Sequence, residues 1–300
     1  MNQSYVLPPW VVLDPLLHSW LLEDIGRGDH TTQSLLTGKI EFGQANWIAK
    51  QKGVIAGLPI AARVFCLLNE GASFTPILGE GETCDQGQLV ARIYGPLDTL
   101  LMGERVALNL SMRLSGIATL TAQYVENIAD LPARLVDTRK TTPGLRLLEK
   151  YASHLGGAIN HRLGLDDAVM IKDNHIAAAG GIAEAINQIR DKIPYPLSIE
   201  VETTTLAEVE AALNENADII MLDNMSLELM RQAVQLIRSH QNQTKIEASG
   251  NITLKTIRAV AETGVDFISS SGPITRSSWL DLSMNLEKST SDSIKKKPPD

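Results

Sequence analysis

The chain reads as an α/β protein: an N-terminal mixed α/β sheet domain of sandwich type, followed by a C-terminal α/β barrel, TIM-like whether closed or incomplete. Three observations predict this. From residue 134 onward, short apolar runs (RLVDTRK, AVMIKDNH, LSIEVE, ADIIMLDN, KIEASGN and VDFISSSG) each end in polar residues and alternate with helical patterns. Ahead of them, residues 98–129 lack proline and carry apolar positions at three- and four-residue spacing, the mark of a helix. Ahead of that, short strand-like segments are punctuated by glycine.

In chain order, residues 10–22 are expected to form a helix. Pro8, Pro9, Asp14 and Pro15 interrupt this apolar N-terminus, and its first Lys or Arg is Arg27. An amphipathic helix packing on the body or on a partner subunit is therefore expected, not a leader or a membrane span. Glu23–Thr32, EDIGRGDHTT, reads as a Gly- and Asp-rich loop. Segments 44–57, 73–79 and 88–94 read as strands, with a helix at about 59–69. GETCDQGQLVARIYGP is similar to half of a lipoyl or biotinyl carrier sandwich but lacks the lysine such a carrier exposes at its hairpin tip. The 98–129 helix is expected to break near Ser115-Gly116. In the repeating region, helices are expected at about 144–153, 179–192, 205–214, 226–240 and 253–263. Apolar runs alternating with amphipathic helices imply parallel strands buried on both faces. A barrel is preferred to a doubly wound sheet because polar chemistry sits at the end of every run, the face where barrel enzymes place their sites. The domains are set at 1–115 and 116–276. A last helical piece at 277–288 is expected to pack back on the first domain, and 289–300 forms a disordered Ser/Lys/Pro-rich tail.

The chain has 300 residues, 44% apolar content and a net charge of -8. The acidic balance argues against nonspecific nucleic-acid binding. Two cysteines, Cys66 and Cys84, outside any CxxC or Cys/His cluster, fit a reduced cytoplasmic setting without structural zinc. There is no GxGxxG after a strand, no P-loop and no GxSxG elbow.

Against that acidity, Asp137–His175 gathers Arg139, Lys140, Arg146, Lys150, His161, Arg162, Lys172 and His175, as expected of an anion pocket. Arg139, His161, Arg162 and Lys172 form a cationic half suited to carboxylates. Arg146 and Lys150, four residues apart on a helix, are expected on a solvated face. His175 is expected to shape the pocket wall by hydrogen bonding. Strand alternation points Glu200 and Glu202 one way and Ile199 and Val201 the other, which sets both carboxylates toward the barrel interior. Glu247 and Ser249 share a face by the same parity, as do Met221 and Asp223. Buried carboxylates need partners, and Lys140 and Lys172 are the expected ones; the alternative for Glu200 and Glu247 is a buried ion network that only fixes the barrel. Glu202 and Asp223 form an acidic half suited to sugar hydroxyls or Mg²⁺. Ser249–Asn251 and Ser269–Pro273 are small-residue turns whose backbone amides suit a phosphate.

Laid out this way, the chain resembles the quinolinate phosphoribosyltransferases, the carboxylating nicotinate-nucleotide pyrophosphorylases. The stretches that carry the resemblance are EDIGRGDHTT, GERVALNLSMRLSGIAT, DTRKTTPGLRLLEKYA, GGAINHRLGLDDAVMIKDNH, IEVE, MLDN and EASGN, in order from about residue 23 to residue 251. The resemblance implies transfer of phosphoribose from phosphoribosyl pyrophosphate to quinolinate with loss of CO₂, requiring Mg²⁺, in de novo NAD synthesis. It implies a homodimer or larger assembly in which the N-terminal domain of one subunit covers the barrel mouth of the other and Arg105 enters the neighbouring site. Arg139, His161, Arg162 and Lys172, with the partner's Arg105, are implied as the quinolinate pocket, and Thr138 is implied as a substrate-binding residue beside Arg139. Lys140, Glu202, Asp223, Ser249, Gly250 and Asn251 are implied for the phosphoribosyl pyrophosphate and metal side, Glu202 and Asp223 being the metal ligands. Where the family has a form like ISVGALT, this chain reads ISSSGPITRS, one residue longer, so Ser271 and Gly272 are alternatives for the phosphate contact there. The rival expectations are a nicotinate-type phosphoribosyltransferase, a non-catalytic pyridine-carboxylate-binding paralogue and a barrel lyase.

Overall fold

The computed structural model describes residues 7–36, 41–240 and 243–287; the expected tail, 289–300, lies outside the described residues. The chain divides into two compact units, one of residues up to Thr119 together with those from Ser278, the other Leu120–Ser277.

In the first unit, helix α1 (Trp10–Ile25) buries Leu13, Leu17 and Leu21 at four-residue spacing. Val11 and Leu22 are exposed on other faces of the same helix. The chain then turns at Gly26, whose φ of 55° favours glycine. Helix α2 (His30–Leu35) follows at once because Asp29 caps it, its carboxylate accepting from the Thr31 and Thr32 N–H groups at 3.0 Å each. The expected loop at 23–32 is thus shortened from both ends. Strands β1 (Phe42–Ala49) and β2 (Gly53–Val54), helix α3 (Leu58–Leu68), and strands β3 (Ser73–Pro76), β4 (Thr83–Cys84) and β5 (Leu89–Pro96) come next.

Helix α4 (Leu97–Glu126) is continuous for 30 residues and does not break at Ser115-Gly116. Gly116 serves close approach instead: a Cβ there would fall 1.9 Å from the Ser278 carbonyl oxygen. A second correction concerns 277–288. It contains a strand, β12 (Leu282–Leu286), paired antiparallel with β1 from Ala49↔Leu282 to Ala45↔Leu286. Leu280, Leu282, Met284 and Leu286 recur at the two-residue period of a strand, which the helical expectation passed over. The main sheet is antiparallel in the order β12-β1-β5-β3, with β2 and β4 forming a separate pair.

The second unit begins within the end of α4 and continues with β6 (Arg134–Val136), α5 (Arg146–Leu155), β7 (Val169–Ile171), α6 (Asp173–Ala179) and α7 (Ile182–Arg190). Then come β8 (Ile199–Thr203), α8 (Leu206–Asn214), β9 (Ile219–Asp223), α9 (Leu227–Ser239), β10 (Lys245–Ser249), α10 (Ile257–Ala261), β11 (Phe267–Ser269) and α11 (Gly272–Thr275). All six expected runs are strands, and they make one parallel sheet in the order β6-β11-β10-β9-β8-β7. Among the described residues no ladder joins β6 to β7; Ile159 makes only an isolated parallel bridge to Val136. The barrel is therefore of the incomplete kind. Ile199, Val201, Ile220, Leu222, Ile246, Ala248 and Ile268 are buried in its core with the helices that cover the sheet. Thr205 and Ser226 cap α8 and α9, which turns the chain sharply after β8 and β9 and leaves the strand ends open on one face. Among the described residues no helix is long and apolar enough to cross a membrane.

Candidate active site

At the C-terminal ends of the parallel strands lies a cavity of about 670 Å³. Thr138, Arg139 and Lys140 reach it from beyond β6, Lys172 from the end of β7, Glu202 from β8, Asp223 from β9, and Ser249, Gly250 and Asn251 from β10 and its turn. His161 and Arg162 enter from the loop after α5, and Ser271 and Gly272 from the turn after β11. Every site residue expected from the barrel thus shares one cavity. Arg105 lies elsewhere, exposed on α4 in the first unit.

The cationic wall is built on a buried ion pair. Lys150 of α5 binds Asp137, immediately after β6, and also donates to the His161 carbonyl at 2.9 Å. Asp137 further accepts from the His161 N–H at 2.8 Å and from Asn160 Nδ2 at 2.6 Å. Burial pushes Asp137 up and Lys150 down from their ordinary pKa values, and each partner's charge opposes that push. The expected solvated face for Arg146 and Lys150 is corrected on both counts. Helix α5 is buried from Leu148 through Ser153, so it has no solvent stripe there. Arg146 is held by Thr141 Oγ1 at 3.1 Å and by the Leu163 and Arg139 carbonyls at 3.1 and 3.4 Å. These bonds fix the loops that present Arg139 and Arg162. Arg162 donates one guanidinium N–H to the Ala168 carbonyl at 2.8 Å. Burial first, and the neighbouring Arg139 charge second, pull its pKa below the ordinary value. Two half-buried guanidiniums that repel each other make a seat for more than one anionic group.

The deep carboxylates do not pair with Lys140 and Lys172. They face His161, whose Nε2 lies 3.1 Å from Glu200 Oε2 and 3.6 Å from Glu247 Oε2. Lys172 pairs instead with Glu202 at 2.6 Å. The reason is depth: Glu200 sits two strand residues below Glu202, roughly 6.6 Å, beyond the reach of a rim lysine already engaged. His161 Nδ1 accepts from the Arg162 N–H at 2.7 Å, so both ring nitrogens are occupied while the ring lines the cavity. Burial and then the Glu200 charge push Glu247 up to about 7. His175 accepts from the Lys172 N–H at 3.0 Å and so fixes the start of α6; the residue is exposed and does not itself line the cavity.

The acidic wall holds Glu202 and Asp223, both half-buried and both facing the cavity. Asp223 and Glu202, the latter paired with Lys172 at 2.6 Å, are the carboxylates that could hold Mg²⁺, an ion that takes one or two protein carboxylates and completes its shell with water and phosphate oxygens. A separate grouping, His161, Glu200 and Glu247, brings its ligand-type atoms within 4.8 Å of one another, but it is already internally paired through His161.

Beside Asp223, the turn after β10 is shaped by Gly250 at φ 100° and Asn251 at φ 53°. In the later turn the Gly272 N–H donates to Ser270 Oγ at 3.1 Å, while Ser271 stands at the start of α11. The sequence reading missed Asn224 and Arg276, both of which line the cavity. Asn224 ends the quoted MLDN and Arg276 ends PITR, one helical turn past Gly272, so adjacency to a singled-out turn was the available signal.

Comparison with known proteins gives concordant matches. A family model described as the quinolinate phosphoribosyl transferase N-terminal domain matches residues 29–115, and one for the C-terminal domain matches residues 117–285. A probable nicotinate-nucleotide pyrophosphorylase [carboxylating] of Synechocystis sp. is 61% identical over 280 residues, covering 93% of this chain and 94% of that protein. A protein of the same description from Bacillus subtilis is 44% identical over 279 residues, covering 91% and 93%. The solved structure of the nicotinate-nucleotide pyrophosphorylase from Francisella tularensis superposes with a TM-score of 0.89 at 36% identity, covering 96% of this chain and all of that one.

Proposed function

This chain belongs to the quinolinate phosphoribosyltransferase family, and on that premise we propose how its strand-end cavity carries out the family's reaction. The protein is a pentosyltransferase. It transfers phosphoribose from phosphoribosyl pyrophosphate to the ring nitrogen of quinolinate with decarboxylation, giving nicotinate mononucleotide, pyrophosphate and CO₂ in de novo NAD biosynthesis.

The observation that carries the site assignment is the segregation of charge in one cavity, Arg139 and Arg162 on one wall and Glu202 and Asp223 on the other. The two guanidiniums, with Thr138 and Lys172, bind the two carboxylates of quinolinate, and His161 packs beneath them. Lys172 exchanges Glu202 for substrate carboxylate, which frees Glu202 for the sugar side. A dicarboxylate suits this wall better than nicotinate, because a single carboxylate would leave a half-buried arginine unpaired.

Phosphoribosyl pyrophosphate lies across the β8–β11 ends. Its phosphate meets the Ser249–Asn251 turn and Ser271 or Gly272. As the bond from the sugar carbon to pyrophosphate breaks, positive charge develops on the ribose, and Glu202 and Asp223 stabilise it. Lys140 neutralises the departing pyrophosphate. A Mg²⁺ ion held by Glu202 and Asp223 would supply further charge neutralisation there when bound. Once the ring nitrogen is quaternary, the adjacent C–C bond breaks toward it. The electron pair stays on the ring carbon beside the positive nitrogen and takes up a proton, while CO₂ leaves. For this second step the pocket holds the ring and excludes water from the departing carboxylate.

The active assembly is a homodimer, or a larger assembly of dimers, in which Arg105 enters the neighbouring subunit's site. Exposure of Arg105 on α4, and of Val11 and Leu22 on α1, supports this reading. The protein works in the cytoplasm; Cys66 and Cys84 are both free thiols.

The test is binding of quinolinate and turnover in Arg162→Ala and Lys140→Ala. Arg162→Ala should weaken quinolinate binding by at least about a hundredfold, and Lys140→Ala should lower kcat by about 10²–10³ with the fold intact. Near wild-type kcat/KM in either variant would refute the assignment.

A further inference from the structure

Asn224, immediately after Asp223, takes a left-handed backbone at φ 53°, and Asn251, just past the end of the neighbouring strand β10, does the same at φ 53°. Few residues other than glycine accept that conformation, and asparagine accepts it most readily. The two side chains meet. Asn251 Nδ2 donates to Asn224 Oδ1 at 3.2 Å, and Asn224 Nδ2 donates to Asp223 Oδ2 at 2.7 Å. The Asn224 N–H donates to the Ser249 carbonyl at 2.9 Å, one step past the last register pair, Ser249↔Asp223. Gly250 leaves the necessary room: a Cβ there would sit 2.2 Å from Asn224 Oδ1 and 2.9 Å from its backbone nitrogen.

This arrangement ties the acidic wall to the phosphate turn. One amide holds Asp223 through one of its two oxygens, leaving the other directed by that constraint. The same amide accepts from Asn251 and so fixes the loop between β10 and α10. A strand-end carboxylate without such a bond would have to lose its rotamer freedom when ligand binds. Aspartate in place of the amide could accept from Asn251 but would set a second negative charge against Asp223.

We propose that Asn224 is a positioning residue for the phosphoribosyl pyrophosphate half of the site, acting through Asp223 and Asn251. It preorganises that half and leaves the quinolinate half untouched. The proposal rests on the assignment of that half given above.

The test compares Asn224→Gly, which keeps the left-handed backbone and deletes the amide, with Asn224→Asp, which keeps the shape and reverses the donor. Titration calorimetry would measure phosphoribosyl pyrophosphate with and without Mg²⁺, and separately quinolinate, alongside steady-state KM and thermal midpoints. For Asn224→Gly the expected result is a loss of phosphoribosyl pyrophosphate affinity of roughly five- to tenfold. Quinolinate affinity should stay within about twofold and the ligand-free thermal midpoint should be nearly unchanged. Asn224→Asp should lose more than Asn224→Gly. Unchanged phosphoribosyl pyrophosphate affinity in Asn224→Gly would overturn the proposal, as would equal losses for both substrates with a lowered midpoint. A wild-type protein that does not bind phosphoribosyl pyrophosphate would overturn the underlying assignment as well. Wild-type binding with an indifferent variant removes only the role of Asn224.

Discussion

Lys150 and Asp137 form an ion pair in which both side chains are 1% exposed, directly behind the loop that presents His161 and Arg162. A buried pair stripped of one partner leaves an uncompensated charge, which costs far more than the pair contributes. Lys150→Ala should therefore destabilise the fold by about 3–5 kcal/mol. Urea unfolding followed by circular dichroism measures this. A loss below about 1 kcal/mol would mean that solvent reaches Asp137.

Gly116 lies under the chain at Ser278, with no room for a methyl group. Gly116→Ala should cost about 1–3 kcal/mol, although alanine is the better helix former and an exposed glycine-to-alanine change within a helix would gain stability. Thermal unfolding of the variant decides the sign, and a raised midpoint would refute the close approach.

Glu247 gives a pH signature. Its folded-state pKa is pushed from an ordinary 4.5 up to about 7, by burial first and the Glu200 charge second. A raised pKa means that the folded protein holds this proton more tightly than the unfolded chain. The resulting stability is fully present below the unfolded value near 4.5 and is lost as pH rises through about 7. Glu247→Gln cannot lose that proton. Urea midpoints from about pH 5 to 8 should show the variant gaining on the wild type as pH rises. A difference independent of pH would refute an elevated Glu247.

Mixed assemblies test the shared site. Arg105→Ala and Lys172→Ala should each be inactive alone. Mixed subunits should recover part of the activity, because one of the two sites in a heterodimer then carries neither substitution. A verified heterodimer with no recovery would place Arg105 outside the neighbouring site.

The six strands of the barrel were legible because each is a short apolar run ending in polar residues, a pattern set by burial on both faces. Strand parity also placed Glu200 and Glu202 on one face, and the cavity gathers the strand-end residues that the motifs singled out. Partner choice was less legible. Lys150 looked solvent-facing because helical spacing says which residues share a side, not whether a second layer covers that side. The pairing of Lys172 with Glu202 rather than Glu200 depended on depth along the strand. Strand β12 was missed although its two-residue period was present, since a helical reading of the last segment was preferred. The role of Asn224 depends on its distance to Asn251, 27 residues away in the chain, and no local pattern encodes that.

The most direct measurement is turnover of purified protein with phosphoribosyl pyrophosphate, Mg²⁺ and carboxyl-labelled quinolinate, following CO₂ and nicotinate mononucleotide together, beside a parallel reaction with nicotinate. The prediction is equal amounts of CO₂ and mononucleotide, formed with quinolinate and not with nicotinate. Mononucleotide formed from nicotinate alone, or no product from either substrate, would contradict it.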